Sequence, residues 1–196
     1  MENLNDLLRF LHILSFVFMS IPLFNLIVVN ERAMMGGRFV YATDRYMENI
    51  IRRGAARCYV FQTSVLVTGL LLLFLGDLGI QDLWQNWVVL AKTLILFGLM
   101  GLLSYVHLNL QPQIEARMAK LDPDGPMPDN IGADLKPFRV LRKRLATFCL
   151  FLVIISIILG VQVYGAFTPV INLVLIVFAA VFAWRANTSL VRFGWI

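Results

Sequence analysis

The chain has 196 residues, of which 59% are hydrophobic and only 15% are charged, and its formal net charge is +5. A soluble domain of this length needs a charged exterior and could not bury so much apolar surface. The composition therefore excludes an ordinary soluble protein and predicts an all-α, polytopic membrane protein, a single integral domain covering residues 1–196. No nucleic-acid-binding motif accompanies the positive charge, so we do not expect nucleic acid as a partner.

Five apolar stretches are each long enough to cross roughly 30 Å of hydrocarbon as a helix, at a rise of about 1.5 Å per residue. They cover residues 7–29, 58–75, 87–110, 145–164 and 169–184. We expect the first four spans to form a four-helix-bundle-like core and the fifth to be an extra helix beside it.

Basic residues concentrate in two connecting segments, 30–57 and 111–144, whereas segment 76–86 has two aspartates and no lysine or arginine. Lysine and arginine are retained on the cytoplasmic side during insertion. The two basic segments are therefore predicted to be cytoplasmic loops, with the N-terminus outside and the C-terminus inside. Within the first, the stretch 43–57 has Met47, Ile50 and Ile51 at helical spacing and is predicted to be a helical extension of the second span that lies at the membrane interface. We expect a multi-pass protein of the bacterial inner (cytoplasmic) membrane, and the basic residues act first as topology signals, with anionic lipid contact second.

Three histidine or lysine residues lie within the predicted spans, where ionisable residues are rare and often functional. They are His12, Lys92 and His107. His12 lies five residues into the first span and Lys92 five residues after Trp87, so both are roughly 7–8 Å below the outer boundary. His107 comes fifteen residues after Lys92 and is therefore roughly 22 Å deeper. His12 and Lys92 can meet, whereas His12 and His107 cannot hold one metal ion.

A histidine and a lysine at the same depth of an apolar bundle suit the two axial positions of a haem iron, provided that the amine is neutral. We therefore predict haem b, with His12 and Lys92 as its axial metal ligands. Arg9 lies one turn nearer the surface on the face of His12, where its guanidinium can bind a haem propionate. Gln162 and Tyr164, at the end of the fourth span, are predicted to hydrogen-bond in the same pocket.

Simpler interpretations of these residues remain open. A histidine near a helix end often bonds to a backbone carbonyl, and a lysine near the boundary can extend to the lipid headgroups. His107 is either structural or a ligand of a second haem, for which Asn109, Met34 and Met35 would be weak partners. Cys58 and Cys149 are predicted to be reduced packing residues near the cytoplasmic side.

Two segments resemble a group of bacterial membrane proteins that includes the HemJ-type protoporphyrinogen oxidases and the CopD-type copper-resistance proteins. Leu11-His12-Ile13, followed by Pro22-Leu23-Phe24, is similar to the start of the first helix in this group. Trp87–His107, with Ala91-Lys92, is similar to the HemJ "W…AK…L" helix. The resemblance implies a haem-binding scaffold in which His12 and Lys92 correspond to the proposed axial ligands.

The chain differs from the HemJ type in two respects. An apolar residue such as Val28 stands where the HemJ type has an arginine, and a fifth span and a long polar segment are added to the usual four helices. We therefore expect a haem b-binding protein that serves electron transfer, or is an accessory subunit of a larger oxidoreductase complex, rather than an enzyme on its own. The alternatives are a cofactor-free structural subunit and a HemJ-like protoporphyrinogen oxidase. The expected partners are the lipid bilayer and other membrane subunits or further copies of the chain.

Overall fold

The computed structural model describes residues 2–31, 39–76, 78–163 and 165–188, and within these ranges every regular element is a helix. The elements are α1 (Glu2–Asn30), α2 (Tyr41–Leu75), α3 (Asp82–Gln85), α4 (Trp87–Tyr105), a π-helical turn (Val106–Leu110), α5 (Gln111–Met118), α6 (Ile131–Val161) and α7 (Pro169–Thr188). Five helices, counting α4 through α5 as one, are long and apolar enough to cross a membrane. The prediction of an all-helical chain is confirmed for the described residues, and five helices have the length and the apolar composition that crossing a membrane requires.

α2 begins at Tyr41, which confirms the predicted helical extension over residues 43–57, whereas α6 begins at Ile131, well before its predicted span. The first turns of α6 bury Ile131 and Leu135, which are four residues apart and therefore lie on one helix face. They pack against the buried Ile114 and Met118 of α5. Burial of these four side chains stabilises α5 and the first turns of α6 beyond the predicted spans.

The π-helical turn joins α4 to α5 without ending the helix. Pro112 follows it closely, and a proline cannot donate the backbone hydrogen bond that an α-helix needs. A wider turn is one of the few ways in which a helix absorbs such a defect, and π-turns often occur at functional sites. This turn buries Val106 and Leu110 and carries His107 between them.

The middle of the molecule contains one shared apolar cluster. Met19 of α1, Val65 of α2, Leu99 of α4 and Val153 of α6 are all buried in it. Nearer the C-terminal end of α1, Ile27 packs with residues of α6 and with Ala186 of α7. Four long helices therefore meet at the centre, and α7 is joined to them through α6 and the end of α1.

The two ends of the helix assembly differ in charge. We call the end that contains the beginning of α6 and the π-turn the basic end, and the end that contains the beginning of α1 the opposite end. The predicted orientation places the basic end in the cytoplasm. His12 lies towards the opposite end, and His107 lies at the basic end.

Candidate functional site

His12 on α1 is held by one turn of α2. Its Nδ1 lies 2.9 Å from Thr68 Oγ1, whose own hydroxyl hydrogen is donated to the Ser64 carbonyl at 2.6 Å. Because the threonine hydrogen is engaged, Oγ1 accepts from the ring, which favours the neutral tautomer with its proton on Nδ1. The electron pair of the imidazole is then on Nε2.

Lys92 of α4 is half-buried, as His12 is. Each of the two side chains lies against a glycine of a neighbouring helix. A Cβ at Gly69 would lie 3.3 Å from His12 Cε1, and a Cβ at Gly160 would lie 3.5 Å from Lys92 Nζ. The histidine therefore lies directly against the backbone of α2, and the lysine lies directly against the backbone of α6.

The other three predicted residues of the site have separate surroundings. Arg9 forms an exposed ion pair with Asp6 at 3.6 Å, and such surface pairs are weak enough to rearrange readily. Gln162 is buried, but its Nε2 donates to a carbonyl of its own helix at 3.1 Å and its Oε1 accepts from Phe167 N–H at 3.2 Å. Its amide therefore holds the α6–α7 turn. Tyr164 lies outside the described residues.

The two candidate donors would suit a haem iron better than a bare metal ion. His12 and Lys92 supply two nitrogen donors, which suits a metal whose macrocycle provides the remaining ligands. An imidazole fixed through its second nitrogen is the usual arrangement of a metal-binding histidine. No cluster of three or more histidine, cysteine, aspartate or glutamate side chains that could hold a metal ion occurs among the described residues.

His107 lies at a different level of the molecule. Its ring meets that of Tyr59 edge-on, with the centroids 6.0 Å apart. Tyr59 precedes Thr68, the partner of His12, by nine residues, or roughly 13 Å along α2. The structure therefore does not bring the two histidines together. Met34 and Met35, which the sequence suggested as weak partners of His107, lie outside the described residues.

A buried network of ion pairs occupies the basic end and was not predicted from the sequence. Arg142 is completely buried and donates to Glu48 at 2.7 Å, to Asn30 Oδ1 at 2.8 Å and to Gln111 Oε1 at 2.6 Å. Its guanidinium thus joins α6 to α2, to the end of α1 and to the beginning of α5. This one residue connects four helical elements.

Two neighbouring cations of α6 complete this network. Arg139 contacts Asp44 at 2.8 Å and Glu48 at 3.0 Å, and Lys143 lies 3.5 Å from Glu31. From the sequence alone, the basic residues of this segment indicated only membrane topology and lipid contact. The spacing of the three cations along α6 puts them on one helix face, and Asp44 and Glu48 are likewise four residues apart. These matching three- and four-residue spacings of cations and acids are the sequence feature from which the ion pairs could have been predicted.

Comparison of the chain with protein-family models, with curated proteins and with solved structures finds no match in any of the three.

Proposed function

We propose that the chain is a haem b-binding integral membrane protein that serves electron transfer or is an accessory subunit of a membrane redox complex. The observation that carries the proposal is the hydrogen bond of 2.9 Å between His12 Nδ1 and Thr68 Oγ1. It orients the ring and leaves Nε2 as the electron-pair donor. Lys92, which is half-buried on α4, is the candidate second axial ligand.

Each residue has a defined part in this proposal. A bound haem would supply one-electron redox chemistry. Thr68 fixes the orientation of His12, and Gly69 and Gly160 leave space for the histidine ring and for the lysine amine. Arg9 lies near the beginning of α1, and its exposed ion pair with Asp6 is weak enough to rearrange. Its guanidinium could therefore neutralise a propionate of the haem. The resemblance to HemJ-type and CopD-type proteins supports the same pair of ligands.

The proposed orientation places the N-terminus outside and the basic end in the cytoplasm of the bacterial inner membrane. The asymmetry of lysine and arginine supports it. The haem would then lie near the outer surface, roughly one turn or two below the headgroups.

A redox difference spectrum of the purified protein tests the proposal, with haem supplied during expression. The wild type should show Soret and alpha bands, and the His12→Ala variant should show neither. Lys92→Ala should change the spin state of the iron. His107→Ala is the matched control, because His107 lies beyond the other end of α4, and it should leave the bands unchanged. Absence of a haem spectrum in the wild type would overturn the proposal.

One observation favours a second candidate, a structural subunit without a cofactor. α7 exposes most of its apolar surface, including Val170, Leu173 and Phe178, and buries only a stripe of alanines among its described residues. Such a face suits lipid or another membrane subunit. Native mass spectrometry of the protein released from membranes separates the two candidates, since a structural subunit would carry a partner chain and no cofactor.

A further inference from the structure

A groove lies on the surface of the helix assembly between α1 and α2. Its volume is about 490 Å³, within the range of about 300–1,000 Å³ that ligand sites occupy in proteins. Pro22 and Gly54 both line it, and a Cβ added to the glycine would lie 3.5 Å from Pro22 Cβ, so the two helices approach each other closely along the groove. Phe18 and Ile21 also line it and are exposed, which shows that the groove is open to the surroundings.

The groove is aromatic at one end and polar at the other. On α2 it is lined by four residues at intervals of four, which lie along one helix face, namely Asn49, Arg53, Arg57 and Phe61. At the aromatic end, the Phe61 ring contacts that of Phe18 on α1, with the centroids 5.5 Å apart. The polar end lies towards the basic end of the molecule, because Glu48, the partner of Arg142, directly precedes Asn49.

The two arginines of the groove have no counter-charge in the part of the chain that the structure describes. Neither Arg53 nor Arg57 has an ion-pair or hydrogen-bond partner among the described residues. The described residues that line the groove include no aspartate or glutamate. A guanidinium stays charged in proteins at any ordinary pH. The groove therefore presents two unbalanced positive charges, one helical turn apart, on a single face of α2.

These charges lie where the apolar part of α2 ends. The second apolar stretch begins at Cys58, directly after Arg57. Arg53 lies about 6 Å to the polar side of Arg57 along the helix, and Phe61 lies about 6 Å to the apolar side. Such a boundary is the level at which the phosphates of a bilayer are found, with the acyl chains on the apolar side.

A polar residue of α1 also lines the groove. Asn25 belongs to the first apolar stretch, yet its side chain is exposed and has no hydrogen-bond partner among the described residues. An amide that faces hydrocarbon without a partner is unfavourable. A ligand with polar oxygens at this level would supply that partner.

The chemistry of the lining specifies the occupant. A planar guanidinium donates paired hydrogen bonds to phosphate oxygens, and two guanidinium groups favour a headgroup with a net negative charge. A zwitterionic headgroup carries its own cation and gains less from them. The exposed aromatic rings at the other end of the groove suit acyl chains, whereas a free phosphate would leave those rings unused.

We propose that this groove binds one anionic phospholipid of the bilayer, with Arg53 and Arg57 on its phosphate and its acyl chains against Phe18 and Phe61. Asn25 hydrogen-bonds to the oxygens of the glycerol ester region. The charge of the basic segments predicted lipid contact in general, whereas the groove assigns it to two arginines. The proposal depends neither on haem at His12, which does not line the groove, nor on the orientation of the chain.

Native mass spectrometry of the delipidated full-length protein in detergent counts the bound lipids. The probe is dioleoylphosphatidylglycerol. The ligand controls are dioleoylphosphatidylcholine, which is zwitterionic, dioleoylglycerol, which lacks the phosphate, and inorganic phosphate, which lacks the chains. We expect saturable binding of one phosphatidylglycerol per chain, roughly tenfold or more tighter than that of any control. The His12→Ala variant should give the same result, which separates this proposal from the one on haem.

The double variant Arg53→Gln, Arg57→Gln tests the two cations. It should weaken binding of phosphatidylglycerol roughly twentyfold, since each basic residue at the membrane surface strengthens the attraction of an anionic lipid by about fivefold. Both side chains are exposed, so the melting temperature of the lipid-free protein should stay that of the wild type.

The matched control is the double variant Arg45→Gln, Arg52→Gln. It removes the same charge from the same helix, but neither arginine is among the described residues that line the groove. Its affinity for phosphatidylglycerol should stay within about twofold of the wild type, because screening makes distant charges weak.

Any of four results would overturn the proposal. One is the absence of saturable binding of phosphatidylglycerol, and another is equally tight binding of phosphatidylcholine or dioleoylglycerol. A third is binding of inorganic phosphate as tight as that of the lipid, which would indicate a site for the free anion. The fourth is an equal loss of affinity in the two double variants, which would indicate attraction by overall charge rather than by the groove.

Discussion

At the scale of single residues, the hydrogen bond to Thr68 fixes the orientation of the His12 ring. The sequence identified His12 from its place in an apolar span, but its partner lies 56 positions further along the chain and could not be found from local spacing. α2 contains four threonines and serines, and the sequence does not indicate which of them bonds to His12. Only the packing of α1 on α2 selects Thr68.

We therefore expect Thr68→Val to weaken haem retention by about ten- to a hundredfold, the usual effect of losing the partner of a ligating histidine. Thr68→Ser keeps the hydroxyl and should restore retention, which a purely structural role for the side chain would not require. Haem content per chain and the rate of haem transfer to apomyoglobin measure the effect. Equal haem content in all three proteins would contradict this role for Thr68.

Arg142 is the residue on which the buried network depends most, because it bonds three different partners. Arg142→Leu leaves Glu48 with Arg139 as its remaining cation. It also leaves the side-chain oxygens of Asn30 and Gln111 without this donor, a loss that costs about 1–3 kcal/mol for each buried atom left unpaired. Chemical unfolding in mild detergent should show this loss of stability.

Lys136→Leu is the matched control for Arg142→Leu, since Lys136 is an exposed cation of the same helix. Its unfolding free energy should stay within about 0.5 kcal/mol of the wild type. Similar stability of the two variants would mean that the network contributes little to folding.

At the scale of helices, the contact between α1 and α2 depends on Gly69. A Cβ there would lie 3.3 Å from the His12 ring, so a larger side chain must displace the ring or separate the helices. Gly69→Leu should therefore reduce haem content strongly. Gly98→Ala in α4 is the matched control, because a methyl group there would meet no atom of a neighbouring element within 4 Å among the described residues. That variant should keep its haem and be slightly more stable, as alanine is the better helix former. Haem content and melting temperature in detergent measure both effects.

Hydropathy predicted the five apolar helices, and it placed the beginnings of α4 at Trp87 and of α7 at Pro169 correctly, but it placed the beginning of α6 fourteen residues too late. It measures the apolar content of a window, and the first turns of α6 contain Lys136, Arg139, Arg142 and Lys143. Of these cations, Arg139, Arg142 and Lys143 are buried against acidic residues that lie about a hundred positions earlier in the chain, a pairing that no local window contains. The apolar stripe of Ile131 and Leu135 was the local sign of a longer helix.

At the scale of the whole molecule, the predicted orientation is accessible to a direct experiment. Single cysteines are introduced as Gly79→Cys and Asp124→Cys, in the segments before α4 and before α6, with Cys58 and Cys149 replaced by alanine. In intact cells, a membrane-impermeant maleimide should label position 79 at once and position 124 only after permeabilisation. The reverse pattern would invert the topology and place His12 near the cytoplasm.

The charge balance of the buried network has a consequence for biogenesis. Glu31, Asp44 and Glu48 belong to the first quarter of the chain, and Arg139, Arg142 and Lys143 belong to the part synthesised much later. During translation the acidic groups would therefore lack these cations until α6 is made, and docking of α6 would neutralise both sets together. A fragment that contains only α6 and α7 lacks the three acidic residues, so we expect the last third of the chain to reach its final packing only after the first quarter is in place.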